Sequence, residues 1–177
     1  MSADVDRSSP YVERLEALLG STDPLDVLTE TPRALGRVVQ GVAPELFERA
    51  EGPGRWSLAD LARHLADTEI AYGFRLRTAL TVETPHFPAF PENVWVDRFR
   101  DEPLEDALQR LDVLRRSHLA VIARIRPSEL ERVGVHSERG VETVRRMVRL
   151  WAGHDLVHLA QGVRIRDALE SAAAGPS

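Results

Sequence analysis

Two histidines stand four residues apart in the stretch Trp151-Ala152-Gly153-His154-Asp155-Leu156-Val157-His158-Leu159-Ala160-Gln161. Within a helix this spacing puts both imidazoles on one face, one turn apart, where a single metal ion can take a nitrogen from each. Gln161 follows on nearly the same stripe. On its own, such a pair is more often two hydrogen-bonded or half-exposed structural histidines, because buried imidazoles need polar partners of some kind. A third imidazole, His64, separates the readings. Three neutral imidazoles around a divalent ion leave positions open for water or substrate, as in catalytic rather than closed structural sites. Imidazole donors suit Zn, Ni, Fe or Cu. A metal held this way acidifies bound water or a bound thiol and makes a nucleophile available at neutral pH.

For the three to meet, two helices must bring them to one level. The stripe Val144, Val148, Trp151, His154/Asp155, His158, Gln161, Ile165, Leu169 runs along the last helical segment, with Arg145, Arg146, Arg149 and Arg164 tending to the other side. His154 and His158 therefore continue an apolar face and point inward. His64 lies at the edge of the stripe Leu58, Leu61, Leu65, Tyr72, Leu76, Leu80. It is about seven residues into its helix, or ~10 Å from the start, and His158 is about eleven residues, or ~16 Å, from the end of the last helix. These levels nearly match if the two helices run antiparallel; a parallel pair would miss by ~10 Å or more.

The remaining histidines are weaker candidates. His118 falls on an inward stripe about two turns below the His64 level, as a core or boundary residue. His86 and His136 fall in loops, as solvated residues within reach of the site from above. Gln161 and Asp155 are candidates to hydrogen-bond the ligating imidazoles. Asp67 and Glu69 read as helix-surface carboxylates able to accept a proton. Trp56, Trp95 and Trp151 read as core or cavity wall.

Four long amphipathic segments carry the pattern. Residues 1–9 are polar and predicted disordered, and Tyr11 to Leu19 forms a short amphipathic helix ending at Gly20. Asp23-Pro24 opens the first long helix, to about Val42, with a kink or split at Pro32. Ser57, with Asp60 three residues on, caps the second, which lasts to about Thr81. A stretch of about twenty residues with Pro85, Pro88, Pro91 and Pro103 follows, with room for a short helix over Glu92 to Phe99. It is too long for a simple hairpin and long enough to cross the bundle and start a parallel helix. The third long helix runs from Leu104 to about Arg126. A small loop or hairpin spans Val133 to Glu142, and the fourth long helix runs from about Thr143 to Leu169. With no convincing strand pair and no repeat, the chain reads as an all-α four-helix bundle. Residues 1–22 form an N-terminal polar segment and short helix, 23–170 the bundle, and 171–177 a flexible tail.

Bulk properties agree. A chain of 177 residues suits one domain, and 43% hydrophobic with 29% charged residues is ordinary for a soluble protein. No apolar run reaches the ~18–20 residues of a membrane span, and the acidic N-terminus carries no secretory signal. The net charge of −5 and arginines interleaved with carboxylates do not make a nucleic-acid-binding face. Cysteine is absent, which excludes disulfides, thiolate ligands and a cysteine nucleophile and allows a cytoplasmic location.

Three segments together resemble the DinB/YfiT-like superfamily of four-helix-bundle metalloenzymes. They are Pro53-Gly54-Arg55-Trp56-Ser57 leading to His64-Leu65-Ala66-Asp67-Thr68-Glu69, His136 to Val144, and Gly153 to Gln161. The resemblance spans about Pro24 to Leu169. It implies a divalent metal, Zn, Ni or Fe, held by one histidine of the second long helix and two of the fourth, which fall on His64, His154 and His158. It also implies up-down-down-up topology with the crossover between helices two and three, and a homodimer. The family includes thiol S-transferases that use low-molecular-weight thiols, and thiol-dependent isomerases; many members have no known reaction. Relatives often carry a further histidine where this chain has Val157. The expected function is thus metal-dependent transfer chemistry on a small-molecule substrate, with a metal-bound thiol or water as nucleophile. The alternative is a non-enzymatic, stress-associated metal-binding bundle, and hydrolase or isomerase chemistry stays open.

Overall fold

The computed structural model describes residues 10–174; the predicted disorder of residues 1–9 lies outside them. The elements are α1 (Pro10–Leu19), α2 (Pro24–Val39), a 3-10 turn (Pro44–Leu46), α3 (Leu58–Thr81), β1 (His86–Phe87), α4 (Glu92–Arg98), α5 (Leu104–Ile122), a second 3-10 turn (Pro127–Glu131), β2 (Val133–His136), β3 (Gly140–Thr143) and α6 (Val144–Ala174). The four long helices α2, α3, α5 and α6 pack around one another. No helix among the described residues is long and apolar enough to cross a membrane.

Local chemistry sets the helix starts. Asp23 caps α2 by accepting from the Leu25 amide at 2.8 Å, with Pro24 in the first turn. Ser57 and Asp60 form a reciprocal capping box on α3, each side chain 3.1 Å from the other's amide nitrogen. Pro32 does not split α2, which continues as one helix to Val39. Because proline has no N–H, the Leu28 carbonyl one turn earlier loses its helical donor, and a buried arginine takes it, as described below.

The core has two apolar clusters along the bundle. One gathers Leu35, Leu61, Leu65, Leu111 and Ile165; the other gathers Leu28, Tyr72, Leu76, Ile122, Val148 and Trp151. Between these levels the bundle is polar, with Glu69, Arg115, His118 and Asp155 all buried. Helix α1, the short helix expected over Tyr11 to Leu19, packs on the bundle. Its Val12 and Leu15 pack on Leu150 of α6, and Gly153 admits it: a Cβ there would lie 2.5 Å from the Leu15 carbonyl oxygen.

Two expectations need correction. The chain is not all helix: it contains a small three-stranded sheet, in which β2 and β3 form the hairpin left open as an alternative to a loop at Val133 to Glu142, and β1 adds a strand that was not expected. β1 pairs parallel with β2, His86 opposite Val135 and Phe87 opposite His136, and β2 pairs antiparallel with β3. The strands have two to four residues, too few to display an alternating pattern. The end of α6 also lies at Ala174 rather than Leu169, so the first residues of the expected tail are helical; residues 175–177 lie outside the described residues. The sheet matters for function because it pins the crossover. The Val135 amide donates to the Pro85 carbonyl at 2.8 Å, and the Ser137 amide to Phe87 at 2.9 Å. Immediately beyond this anchor come Phe90 and Glu92, which reach the histidines.

Candidate metal centre

Helices α3 and α6 bring the three histidines together. The His64 Nε2 atom is 3.1 Å from His154 Nε2 and 3.2 Å from His158 Nε2, and all three rings are buried. Nitrogen ligands at ~2.0–2.1 Å from a tetrahedral ion stand ~3.3 Å apart, so the spacing fits one shared cation. Hydrogen bonding among the rings does not account for it equally well. The single hydrogen of a neutral imidazole at His64 Nε2 can bridge only one of the two contacts, and the other then sets like against like. No other group of His, Asp or Glu side chains among the described residues was found with this geometry.

The surroundings fix the rings. His158 Nδ1 is 2.9 Å from Gln161 Oε1; the amide oxygen accepts, which places the proton on Nδ1 and leaves Nε2 free to ligate. Trp56 lies against both His64 and His158, at centroid distances of 4.6 and 5.9 Å. Phe90 stacks over His64 at 6.1 Å. Burial, together with the neighbouring His154 and His158, holds the His64 pKa well below its ordinary value. Burial and then His154 push His158 down to about 3, against small opposing effects of Gln161 and Asp155. Both rings are therefore neutral and available as donors at neutral pH.

Beneath the histidines lies a closed ionic layer. Arg115 of α5 donates to Glu69 at 2.5 Å, to Asp155 at 2.7 Å and to the Leu28 carbonyl at 2.7 Å. This is the carbonyl that Pro32 leaves without a helical donor. Glu69 also meets His118 Nδ1 at 2.9 Å and accepts from the Trp151 indole at 3.1 Å. Burial pushes the Asp155 pKa up, but the charge and hydrogen bond of Arg115 together with the neighbouring His154 more than offset it, so the carboxyl lies below its ordinary value and stays ionised. The second Asp155 oxygen faces His154 Nδ1 at 4.0 Å, beyond direct hydrogen bonding.

On its other side the centre opens to a cavity of about 670 Å³ with His154 in its wall. Tyr72, Arg75, Phe90, Glu92, His136 and Arg139 also line it. Glu92, the first residue of α4, brings a carboxylate oxygen to 4.0 Å from His64 Nε2.

A profile of the DinB superfamily matches residues 27–161, which include all three histidines and Gln161. The chain belongs to the DinB superfamily. Among relatives of this superfamily chain, "Putative metal-dependent hydrolase OB0782" of Oceanobacillus iheyensis is 25% identical over 137 residues, covering 77% of this chain and 80% of the relative. A second protein of that organism, "Putative metal-dependent hydrolase OB0413", is 28% identical over 127 residues, covering 71% and 73%. A solved structure of YfiT from Bacillus subtilis, described as "a probable metal-dependent hydrolase with an unusual four-helix bundle topology", superposes with a TM-score of 0.73 at 22% identity, covering 90% of each chain. That likeness shows the fold.

Within this superfamily fold, several sequence expectations shift. Glu69 and Asp67 are not surface carboxylates. Glu69 is fully buried in the ionic layer, and Asp67 is bound by Arg110 at 2.8 Å. His136 is not a solvated loop residue but sits buried in β2, whereas His86 is exposed. His118 is a buried core residue, tied to Glu69. Sequence reasoning missed Arg115, Glu92 and Arg75. The only signal for Arg115 was its place among the inward positions of α5, where an arginine demands buried acids.

Proposed function

We propose that His64, His154 and His158 hold a divalent metal ion, Zn, Ni or Fe, and that the protein is a metal-dependent enzyme acting on a small molecule. The convergence of three buried Nε2 atoms at the wall of a large cavity carries this reading. An ion held there would supply Lewis acidity and lower the pKa of a thiol or water at its open positions. The protein's own groups do the rest. Gln161 fixes the His158 tautomer. Trp56 and Phe90 wall off solvent. Glu92 is placed to receive the proton that the nucleophile gives up.

Two chemistries compete for the same site. The family resemblance favours S-transfer from a low-molecular-weight thiol to an electrophile, and a cavity of this volume has room for a thiol cosubstrate beside a small electrophile. The names of the relatives, metal-dependent hydrolases, favour water as the nucleophile. Both are tested by untagged protein, assayed first for metal and then with a panel of thiols plus an electrophile and a panel of esters and amides. Equal trace metal in the wild type and in the His64→Ala/His154→Ala/His158→Ala variant would sink the reading. Stoichiometric metal without turnover in either panel would favour a non-enzymatic metal-binding bundle.

For the bundle we infer up-down-down-up topology with α3 and α5 parallel. In support, contacts from α3 to α5 ascend together, Asp67 with Arg110 and Glu69 with Arg115, whereas Tyr72 of α3 meets Trp151 and Leu61 lies beside Gly162 of α6. A homodimer is the assembly we propose. Exposed Ile70 and Phe74, one turn apart on α3, support it as an apolar face, and light scattering at micromolar concentration tests it.

A further inference from the structure

The cavity has a second pole, away from the histidines. Arg75 of α3 is buried, 5% exposed, and no carboxylate among the described residues lies within ion-pair distance of it. Among the described residues its side chain makes one hydrogen bond, from Nη2 to the Pro88 carbonyl at 2.7 Å. The guanidinium rests between two aromatic walls of the cavity, 5.6 Å from the Tyr72 ring centroid and 6.0 Å from that of Phe90. A buried cation without a counter-ion is costly. The nearby acids do not supply one: Glu142 is engaged by Arg139, Glu138 is exposed on the rim, and Glu92 stands by His64.

His136 adds an independent observation. Its Nδ1 accepts from the Glu138 amide at 3.2 Å, so a neutral ring carries its hydrogen on Nε2. That Nε2 is buried and has no partner among the described residues. Burial, with Arg139 and Arg75 nearby, lowers its pKa to about 4 and keeps the ring neutral. The far pole thus offers His136 Nε2–H and the Arg75 donors that Pro88 does not engage, with no acceptor for them among the described residues. A ligand that satisfies both must bring acceptors only, and a carboxylate is acceptor-only and matches the guanidinium fork.

We propose that this cavity takes a substrate bearing a carboxylate, which seats on Arg75 and His136 while the rest of the molecule lies against Tyr72 and Phe90 toward His154. The substrate class is then an amphipathic carboxylate whose reacting centre is several bonds from its acid group, since the Tyr72 ring adjoins both poles, 5.6 Å from the Arg75 guanidinium and 6.5 Å from the His154 ring. This rests on the cavity being the substrate site of the proposed enzyme, but carboxylate binding is measurable without metal.

The test is calorimetric titration of the full chain in excess chelator, with benzoate, its uncharged counterpart benzamide, and phenyl phosphate. Benzoate is expected to bind at least tenfold more tightly than benzamide. Arg75→Gln should weaken benzoate at least tenfold and leave benzamide unchanged, and His136→Phe should weaken benzoate severalfold. Should Arg75→Gln fail to fold, Arg75→Lys, which keeps the charge but loses the fork, is expected to weaken benzoate severalfold in its place. Equal binding of benzoate and benzamide, an unchanged benzoate affinity in folded Arg75 variants, or a preference for phenyl phosphate over benzoate would each overturn the proposal. Metal analysis of the same preparation keeps the two readings apart. Protein that binds benzoate through Arg75 but holds no metal would overturn the metal centre alone.

Discussion

Arg115 and Asp155 meet at 2.7 Å in the buried middle of the bundle, and that contact joins α5 to the helix carrying two of the three histidines. Both side chains are almost wholly removed from water. The arginine is balanced by Glu69 on one side, Asp155 on another, and the Leu28 carbonyl on a third. Removing one partner of such a set leaves an uncompensated buried charge, which typically costs about 3–5 kcal/mol. Arg115→Ala is therefore expected to lower the melting temperature of metal-free protein by roughly 10 °C or more. A loss below about 1 kcal/mol by urea denaturation would mean that the layer is far wetter than its burial implies.

The histidine triad was legible in the sequence because its signal is local and periodic. His154 and His158 sit four apart on an apolar stripe, and the His64 level follows from counting turns. The capping box at Ser57 and Asp60 was legible for the same reason. What stayed hidden depends on pairings distant in sequence. Asp67 and Glu69 look solvent-facing until Arg110 and Arg115, more than forty residues away, are brought against them. Pro32 reads as a helix defect, yet the carbonyl it releases becomes a seat for Arg115. His136 reads as a loop residue because β2 and its neighbours are too short for a strand pattern.

Gln161 would act on a bound metal only through His158, so its removal separates positioning from folding. Gln161→Leu deletes the acceptor at 2.9 Å from His158 Nδ1. Loss of such a partner typically costs 10–100-fold in metal affinity. That weakening should appear in competition titrations against a chromogenic chelator, while the melting temperature of the metal-free protein moves by no more than about 1 °C. Unchanged metal affinity would remove Gln161 from the site.

Metal should also stabilise the fold by mass action, since the three donors are assembled only in the folded chain. At free metal one hundred times the dissociation constant the gain is about 2.7 kcal/mol, or roughly 5–10 °C for a chain of this size. Chelation of metal-loaded protein should reverse it, and the triple histidine variant should show no response. A melting temperature indifferent to chelator in the loaded wild type would argue against the centre.

Gly153 tests the docking of α1. A methyl group there would meet the Leu15 backbone oxygen at 2.5 Å, and a backbone atom cannot swing aside as a side-chain tip does. Gly153→Ala should therefore cost about 1–3 kcal/mol through overpacking, despite the better helix propensity of alanine. Because His154 is the next residue, the variant should also weaken metal binding in the same titration. A stabilised variant would show that α1 docks loosely.

His136 gives the fold a pH dependence that can be isolated by difference. Its folded pKa, lowered by burial and by Arg139 and Arg75 to about 4, lies below the ~6.5 expected of the unfolded chain. Between those values the unfolded state binds more protons, so stability falls as pH drops through the window and is fully present above ~6.5. His136→Gln removes that contribution while leaving the His64 and His158 contributions in place. In chelator, the stability difference between wild type and variant should therefore shrink on going from pH 7 to pH 5, by about 1 kcal/mol once solvent screening is allowed for. That corresponds to ~2–4 °C in melting temperature. A difference that is flat over this range would mean that His136 is protonated as easily in the folded protein as in the open chain. Its Nε2 would then be a solvated group rather than the buried donor on which carboxylate binding depends.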